Sequence, residues 1–157
     1  MERYKWSALN KQQVGKYTEY FVKMELTMFG FEVYTTEVDD RGIDFVARHR
    51  GGPFIEVQVK SLRESGYVFL EKSKCELRDS LYVALGLLLE GNPPELFLIP
   101  SRVWETPNSL FVSRDYGKEL KSAPEWGLNL SKKNLPLLEP YRFETAVTKL
   151  CAAAASG

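Results

Sequence analysis

The sequence predicts an α/β protein with a mixed β-sheet flanked by helices, and three stretches carry that prediction. Lys11 to Phe29 has apolar residues at helical spacing. Arg41 to Ser61 holds two runs that alternate with a period of two about a reversal at Gly51, Gly52 and Pro53. Leu81 to Leu89 is apolar throughout, of a length that suits a strand covered on both faces. At 157 residues the chain suits one well-buried core and is short for two. We expect one domain over 1–151, with a core of about 11–100, a loop-rich extension 101–151 and a low-complexity tail 152–157.

Met1 to Asn10 is polar and aromatic without a clear period, and is expected as a loosely placed arm. In the first helix Val14, Tyr17, Phe21, Met24 and Met28 recur at three and four, while Val22, Leu26 and Phe29 widen the stripe. Gly30 is placed to end the helix. Glu19 projects from a flank of the buried face, either as a solvated carboxylate or as a functional one. Gly15, one turn earlier, leaves room beside it at a cost of about 1 kcal/mol relative to Ala.

Phe31 to Glu37 alternates and is rich in strand formers, so it is the first strand, followed by an acidic turn from Val38 to Gly42. In the next strand Ile43, Phe45 and Ala47 share one face, and Asp44 and Val46 the other. In Phe54 to Lys60, the residues Ile55, Val57 and Val59 point one way while Glu56, Gln58 and Lys60 point the other. A carboxylate on one strand thus stands beside an acid, an amide and an amine on its neighbour, a candidate metal and phosphate site. Taken singly, Asp44 also fits a turn-stabilising residue, and Glu56, Gln58 and Lys60 fit the wet face of an edge strand.

Leu62 to Gly66 reads as a polar loop, Tyr67 to Glu71 as a short strand, and Ser73 to Ser80 as a helical turn or short helix. Glu95 to Ile99 pairs with the apolar strand across a Pro93-Pro94 turn and stops at Pro100. Beyond it, Pro107, Pro124, Pro136 and Pro140 break the chain into short pieces. Ser101 to Trp104 starts a short helix. A closing helix over Tyr141 to Cys151 follows from the spacing of Phe143, Val147 and Leu150.

Lysine plus arginine equals aspartate plus glutamate, at 21 each, so a nucleic-acid partner has to be met by a local basic face. The two cysteines and single histidine form neither a CxxC pair nor an HxxxH spacing, which argues against zinc. A histidine-based nucleophilic mechanism would rest on His49, set in a hairpin turn. The apolar run at Leu81 is well short of the ~20 residues of a membrane span. No hydrophobic signal core opens the chain, so a cytoplasmic location with no membrane partner is the expectation. Arg48, His49 and Arg50 form a basic hairpin tip, either a weak nucleic-acid contact through Arg48 and Arg50 or a solvated turn. Phe111, Arg114, Tyr116, Trp126, Tyr141 and Arg142 either clamp an unpaired strand or pack the extension onto the core.

The stretch Gly15 to Ser61, GKYTEYFVKMELTMFGFEVYTTEVDDRGIDFVARHRGGPFIEVQVKS, resembles the PD-(D/E)xK nuclease superfamily. The nearest resemblance is to the restriction-endonuclease-like branch with its Mrr-type enzymes and archaeal Holliday-junction resolvases. It implies a restriction-endonuclease-like core in α-β-β-β-α-β order. Asp44 matches the family's metal-binding aspartate, Lys60 the motif lysine near the scissile phosphate, and Glu19 the acid that many members carry on the first helix. Gln58 occupies the slot usually filled by Asp or Glu, a replacement familiar in Mrr-like members. A second register sets Glu56 in the acid slot and Gln58 in place of the lysine; with Lys60 kept as the cation, Glu56 remains a possible assistant.

The resemblance implies Mg²⁺ or Mn²⁺ held by Asp44, Glu19 and Gln58, and a DNA substrate, with RNA open as well. The expected activity is a metal-dependent endonuclease of restriction, repair or recombination type. The rival expectation is a nuclease-fold protein that has lost cleavage and binds nucleic acid or protein. Many relatives act as dimers so that two strands are cut, so a homodimer is an expectation too.

Overall fold

A reciprocal cap opens the first helix, α1 (Lys11–Met28). The Asn10 side chain accepts from the Gln13 amide at 2.9 Å, and the Gln13 side chain accepts from the Asn10 amide at 2.9 Å. Two N-terminal donors are satisfied in this way, worth about 1 kcal/mol. The inward face is Val14, Thr18, Val22 and Leu26. The expected stripe is therefore rotated: Met24 and Met28 are 57% and 81% exposed. Close approach to the sheet sets that rotation, because Gly86 leaves room for Thr18 where a Cβ would lie 2.5 Å from Thr18 Cγ2. Gly30 ends the helix in the left-handed region (φ +89°), as expected, with its N–H returned to the Thr27 carbonyl.

The computed structural model describes residues 2–37 and 42–155. The expected acidic turn, apart from Gly42, and the last two tail residues lie outside the described residues. Five strands form the main sheet: β1 (Phe31–Thr35), β2 (Phe45–His49), β3 (Ile55–Arg63), β5 (Leu81–Leu88) and β6 (Glu95–Pro100), in the order β1-β2-β3-β5-β6. Only β3 and β5 are parallel, so the sheet is mixed. One face carries α1 and the closing helix α2 (Phe143–Ala155), through Val22, Leu26, Phe45, Val57, Leu98, Phe143 and Val147. The opposite face packs Leu62, Val83, Leu85, Phe97 and Ile99 under Trp104, Phe111 and Leu128. As expected, β5 is covered on both faces.

Several expectations are corrected. The N-terminal arm is docked: Trp6 is 2% exposed, lies with Val14 and Leu88, and donates its indole N–H to the Asn92 carbonyl. β3 runs through Leu62 to Arg63, leaving the polar loop to a turn at Glu64 (φ +68°) and Gly66 (φ +145°). No helix forms over Ser73–Ser80; the link from β3 to β5 is β4 (Gly66–Glu71) followed by turns. The proline-rich extension supplies β7 (Phe111–Arg114) and β8 (Glu125–Leu130), which with β4 build a second sheet in the order β4-β8-β7. The short helix begun at Ser101 is a 3₁₀ turn, Ser101–Glu105. The closing helix starts two residues later than expected and takes the alanine tail to Ala155. Among the described residues no helix is long and apolar enough to cross a membrane.

Candidate active site

β2 and β3 pair only from Phe45 opposite Val57 to Ala47 opposite Ile55, while β3 continues alongside β5. The strands therefore part at Asp44, the residue before β2. The Asp44 amide donates to the Val57 carbonyl at 2.9 Å, and its carboxylate accepts from the Val59 amide at 2.6 Å. Where a longer β2 would have supplied a backbone carbonyl, the Asp44 side chain takes its place. The carboxylate is thereby fixed to the residue between Gln58 and Lys60.

Glu19 reaches the same region from α1. With Gln12, Gln13, Lys16, Asp44 and Val59 it lines a cleft of about 610 Å³ between helix and sheet. Its side chain is 15% exposed and accepts from Lys16 at 3.0 Å and Lys23 at 3.1 Å. Burial pushes the Glu19 carboxyl up, but the two lysines outweigh it and hold the group below its ordinary value. Glu19 is therefore ionised at neutral pH.

Gln58 and Lys60 extend from the other face of β3, away from Val57 and Val59. They line a cavity of about 260 Å³ together with Gly42, Glu71, Lys74 and Cys75. The buried Cys75 thiol donates to the Gln58 side-chain oxygen at 3.1 Å. The structure thus gathers Glu19, Asp44, Gln58 and Lys60 at one stretch of β3 but divides them between two cavities: the carboxylates line one, the amide and amine the other.

Glu56 lines neither cavity. Its carboxylate accepts from Arg78 at 2.6 Å and Ser80 at 2.8 Å, and the Arg78 guanidinium holds it below its ordinary value against some burial. At the hairpin tip Arg48 is bound to Glu32 at 3.1 Å and lies over the Phe54 ring, while Arg50 turns the chain at φ +52°. Of the aromatic residues in the extension, Phe111 is buried, Tyr141 packs edge-on against it, and Trp126 donates to the Cys75 carbonyl. These three pack the extension onto the core.

Sequence reasoning passed over Gly42, Cys75, Lys16 and Lys23. The lysines flank Glu19 at three before and four after, a spacing that could have identified them. Cys75 carries no local signal, since the turns after β4 bring it to Gln58 on the main sheet. Among the described residues no three or more His, Cys, Asp or Glu side chains form a metal cluster.

No family model and no curated protein matches the chain. Solved structures similar to it include two nucleases. The Holliday junction resolvase Hjc of the archaeal hyperthermophile Archaeoglobus fulgidus is 16% identical with a TM-score of 0.57, covering 85% of this chain and 95% of its own. The bacterial homing endonuclease I-Ssp6803I is 17% identical with a TM-score of 0.54, covering 94% of this chain and 95% of its own.

Proposed function

From a chain that has the restriction-endonuclease-like fold, we propose a metal-dependent endonuclease that hydrolyses DNA phosphodiester bonds, of restriction, repair or recombination type. One observation carries the proposal above the rest. Asp44 is locked by its side chain to the amide between Gln58 and Lys60 and shares a cleft with an ionised Glu19. The two similar structures, a Holliday junction resolvase and a homing endonuclease, support nuclease action in general.

The donor set fits Mg²⁺ or Mn²⁺. Two hard carboxylates in one cleft suit an ion that keeps much of its water and takes one or two protein carboxylates. Glu19 and Asp44 would hold it, and bound there it would polarise the phosphate and acidify a bound water. Gln58, the expected third ligand, has its amide oxygen turned to Cys75 in the other cavity. Lys60 would offset the negative charge that accumulates on the phosphoryl oxygens and orient the attacking water or take its proton.

A second reading, a nuclease fold that binds without cutting, is favoured by one feature: both Glu19 carboxylate oxygens are already engaged by lysines. Purified protein incubated with plasmid DNA, branched DNA and RNA, with Mg²⁺, Mn²⁺ or EDTA, decides between them. Cutting of DNA that needs the metal and is lost in Asp44→Ala and Lys60→Ala is the expected result. Binding without cutting in either metal selects the second reading, and cutting unchanged in both variants rejects the site.

A further inference from the structure

The Cys75 side of the site has a chemistry of its own. Cys75 is 3% exposed, and burial pushes its thiol above the ordinary value despite the nearby Lys60 and Arg78. The thiol is a hydrogen-bond donor to the oxygen of Gln58 at 3.1 Å. Its backbone is held from both sides, its amide donating to the Glu71 carbonyl at 3.0 Å and its carbonyl accepting from Trp126 at 3.1 Å.

Gly42 closes over this contact. Its φ of +68° lies in the left-handed region, and a Cβ there would stand 3.3 Å from Cys75 Sγ and 3.6 Å from the Gln58 oxygen. A planar amide with its oxygen held by the thiol turns its NH₂ group the other way. Among the described residues that NH₂ group makes no hydrogen bond. Among the described residues the lining of the cavity also carries Lys60 and the Lys74–Glu71 ion pair, whose ammonium groups suit a phosphate oxygen.

We infer that Gln58 serves the substrate phosphate rather than the metal, with Cys75 and Gly42 positioning its amide so that the NH₂ group donates to a phosphodiester oxygen beside Lys60. The glutamine is then not a weakened metal ligand. It is a neutral donor in a slot where a carboxylate would repel the phosphate, and the metal is left to Glu19 and Asp44. Cys75 acts through Gln58 and is a positioning residue. The inference rests on DNA as the ligand of this face, as proposed above, and not on its cleavage.

The test measures affinity for a fluorescent DNA duplex in EDTA, where no cutting occurs, together with Mn²⁺ binding by calorimetry. Gln58→Glu, nearly isosteric, is expected to weaken DNA binding roughly tenfold or more, the scale of a charge-assisted hydrogen bond lost to a like charge. Mn²⁺ affinity measured without DNA should stay within about twofold, since the metal's carboxylates are elsewhere. Cys75→Ser keeps a donor and should match the unaltered protein, whereas Cys75→Ala should weaken DNA binding severalfold; thermal midpoints show whether each variant folds. If Cys75→Ala unfolds, Gln58→Glu and Cys75→Ser still decide. Tighter Mn²⁺ binding by Gln58→Glu with DNA affinity unchanged overturns the inference, as does equal DNA affinity in a folded Cys75→Ala, or no DNA binding by the unaltered protein. A protein that never cuts, yet shows the expected order of affinities, loses the nuclease reading and keeps this one.

Discussion

Asp44 and Val59 are joined by a 2.6 Å hydrogen bond from backbone amide to carboxylate, at the point where β2 and β3 part. The bond has two duties, one to the fold and one to the proposed chemistry, and two substitutions separate them. Asp44→Ala removes both, leaving a partly buried N–H without an acceptor, and should cost about 1–3 kcal/mol. Asp44→Asn keeps an acceptor oxygen for the Val59 amide while losing the charge, so its unfolding free energy should stay within about 1 kcal/mol of the unaltered protein. Both should cut DNA at least about a hundredfold more slowly. Urea unfolding and plasmid nicking in Mg²⁺ give the two readings. An Asn variant as unstable as the Ala variant would show that the hydrogen bond is not what the carboxylate contributes to the fold.

The parts legible in the sequence were those whose burial repeats at a fixed period. β1, the hairpin, β5 and β6 each show their face within a single run, so Gln58 and Lys60 can be placed on a strand, and Asp44 just ahead of its neighbour, from the sequence alone. The small sheet could not be read that way. β4 meets β8 across more than fifty residues of chain, Phe69 opposite Gly127, and β7 is four residues long between prolines. Its pairing is decided by distant packing against Trp104, Val83 and Ile99, which no local pattern reports. For the same reason nothing local marks Cys75, and Ser73–Ser80, which reads as a helical turn or short helix, holds turns and no helix, with the Cys75 carbonyl accepting from Trp126. On α1 the periodicity was right and the face was not, because Met24 and Phe21 are as apolar as Val22. Only the space left by Gly86 decides which side faces the sheet.

Gly86 sets the distance of α1 from the sheet one residue before Glu19. A Cβ at Gly86 would come within 2.5 Å of Thr18 Cγ2, and Thr18 is fully buried with its hydroxyl donating to the Val14 carbonyl at 2.8 Å. Gly86→Ala should therefore push the helix outward and carry Glu19 away from Asp44. A displacement of this kind, far from any reacting atom, is expected to slow cutting about a hundredfold and to destabilise the fold by about 1–3 kcal/mol. Thr18→Ser deletes the methyl group that meets the new side chain. The double variant Gly86→Ala/Thr18→Ser should recover most of the lost rate and stability. Failure of the second change to restore either would mean that Gly86 matters for β5 itself and not for the seat of α1.

Glu125 in β8 is 6% exposed and accepts from the phenols of Tyr67 and Tyr116, the latter at 3.1 Å, with the Arg114 guanidinium 4.3 Å above the Tyr67 ring. Burial, then the bond to Glu125, pushes the Tyr67 phenol well above its ordinary value. The folded state thus favours the neutral phenol, whereas an unfolded tyrosine ionises near ~10. The stabilisation from Tyr67 is complete below that pH and is lost as pH rises toward the folded value. Tyr67→Phe leaves the buried carboxylate short of a donor and should cost about 1–3 kcal/mol at neutral pH. The gap between the two proteins should then narrow as the pH is taken above about 10, since only the unaltered protein has this proton to lose on unfolding. Urea unfolding of both at neutral and alkaline pH measures it, and the tyrosines outside the Glu125 contact cancel in the difference. A gap that stays constant across that range would show that Tyr67 acts through packing over Gly127 alone.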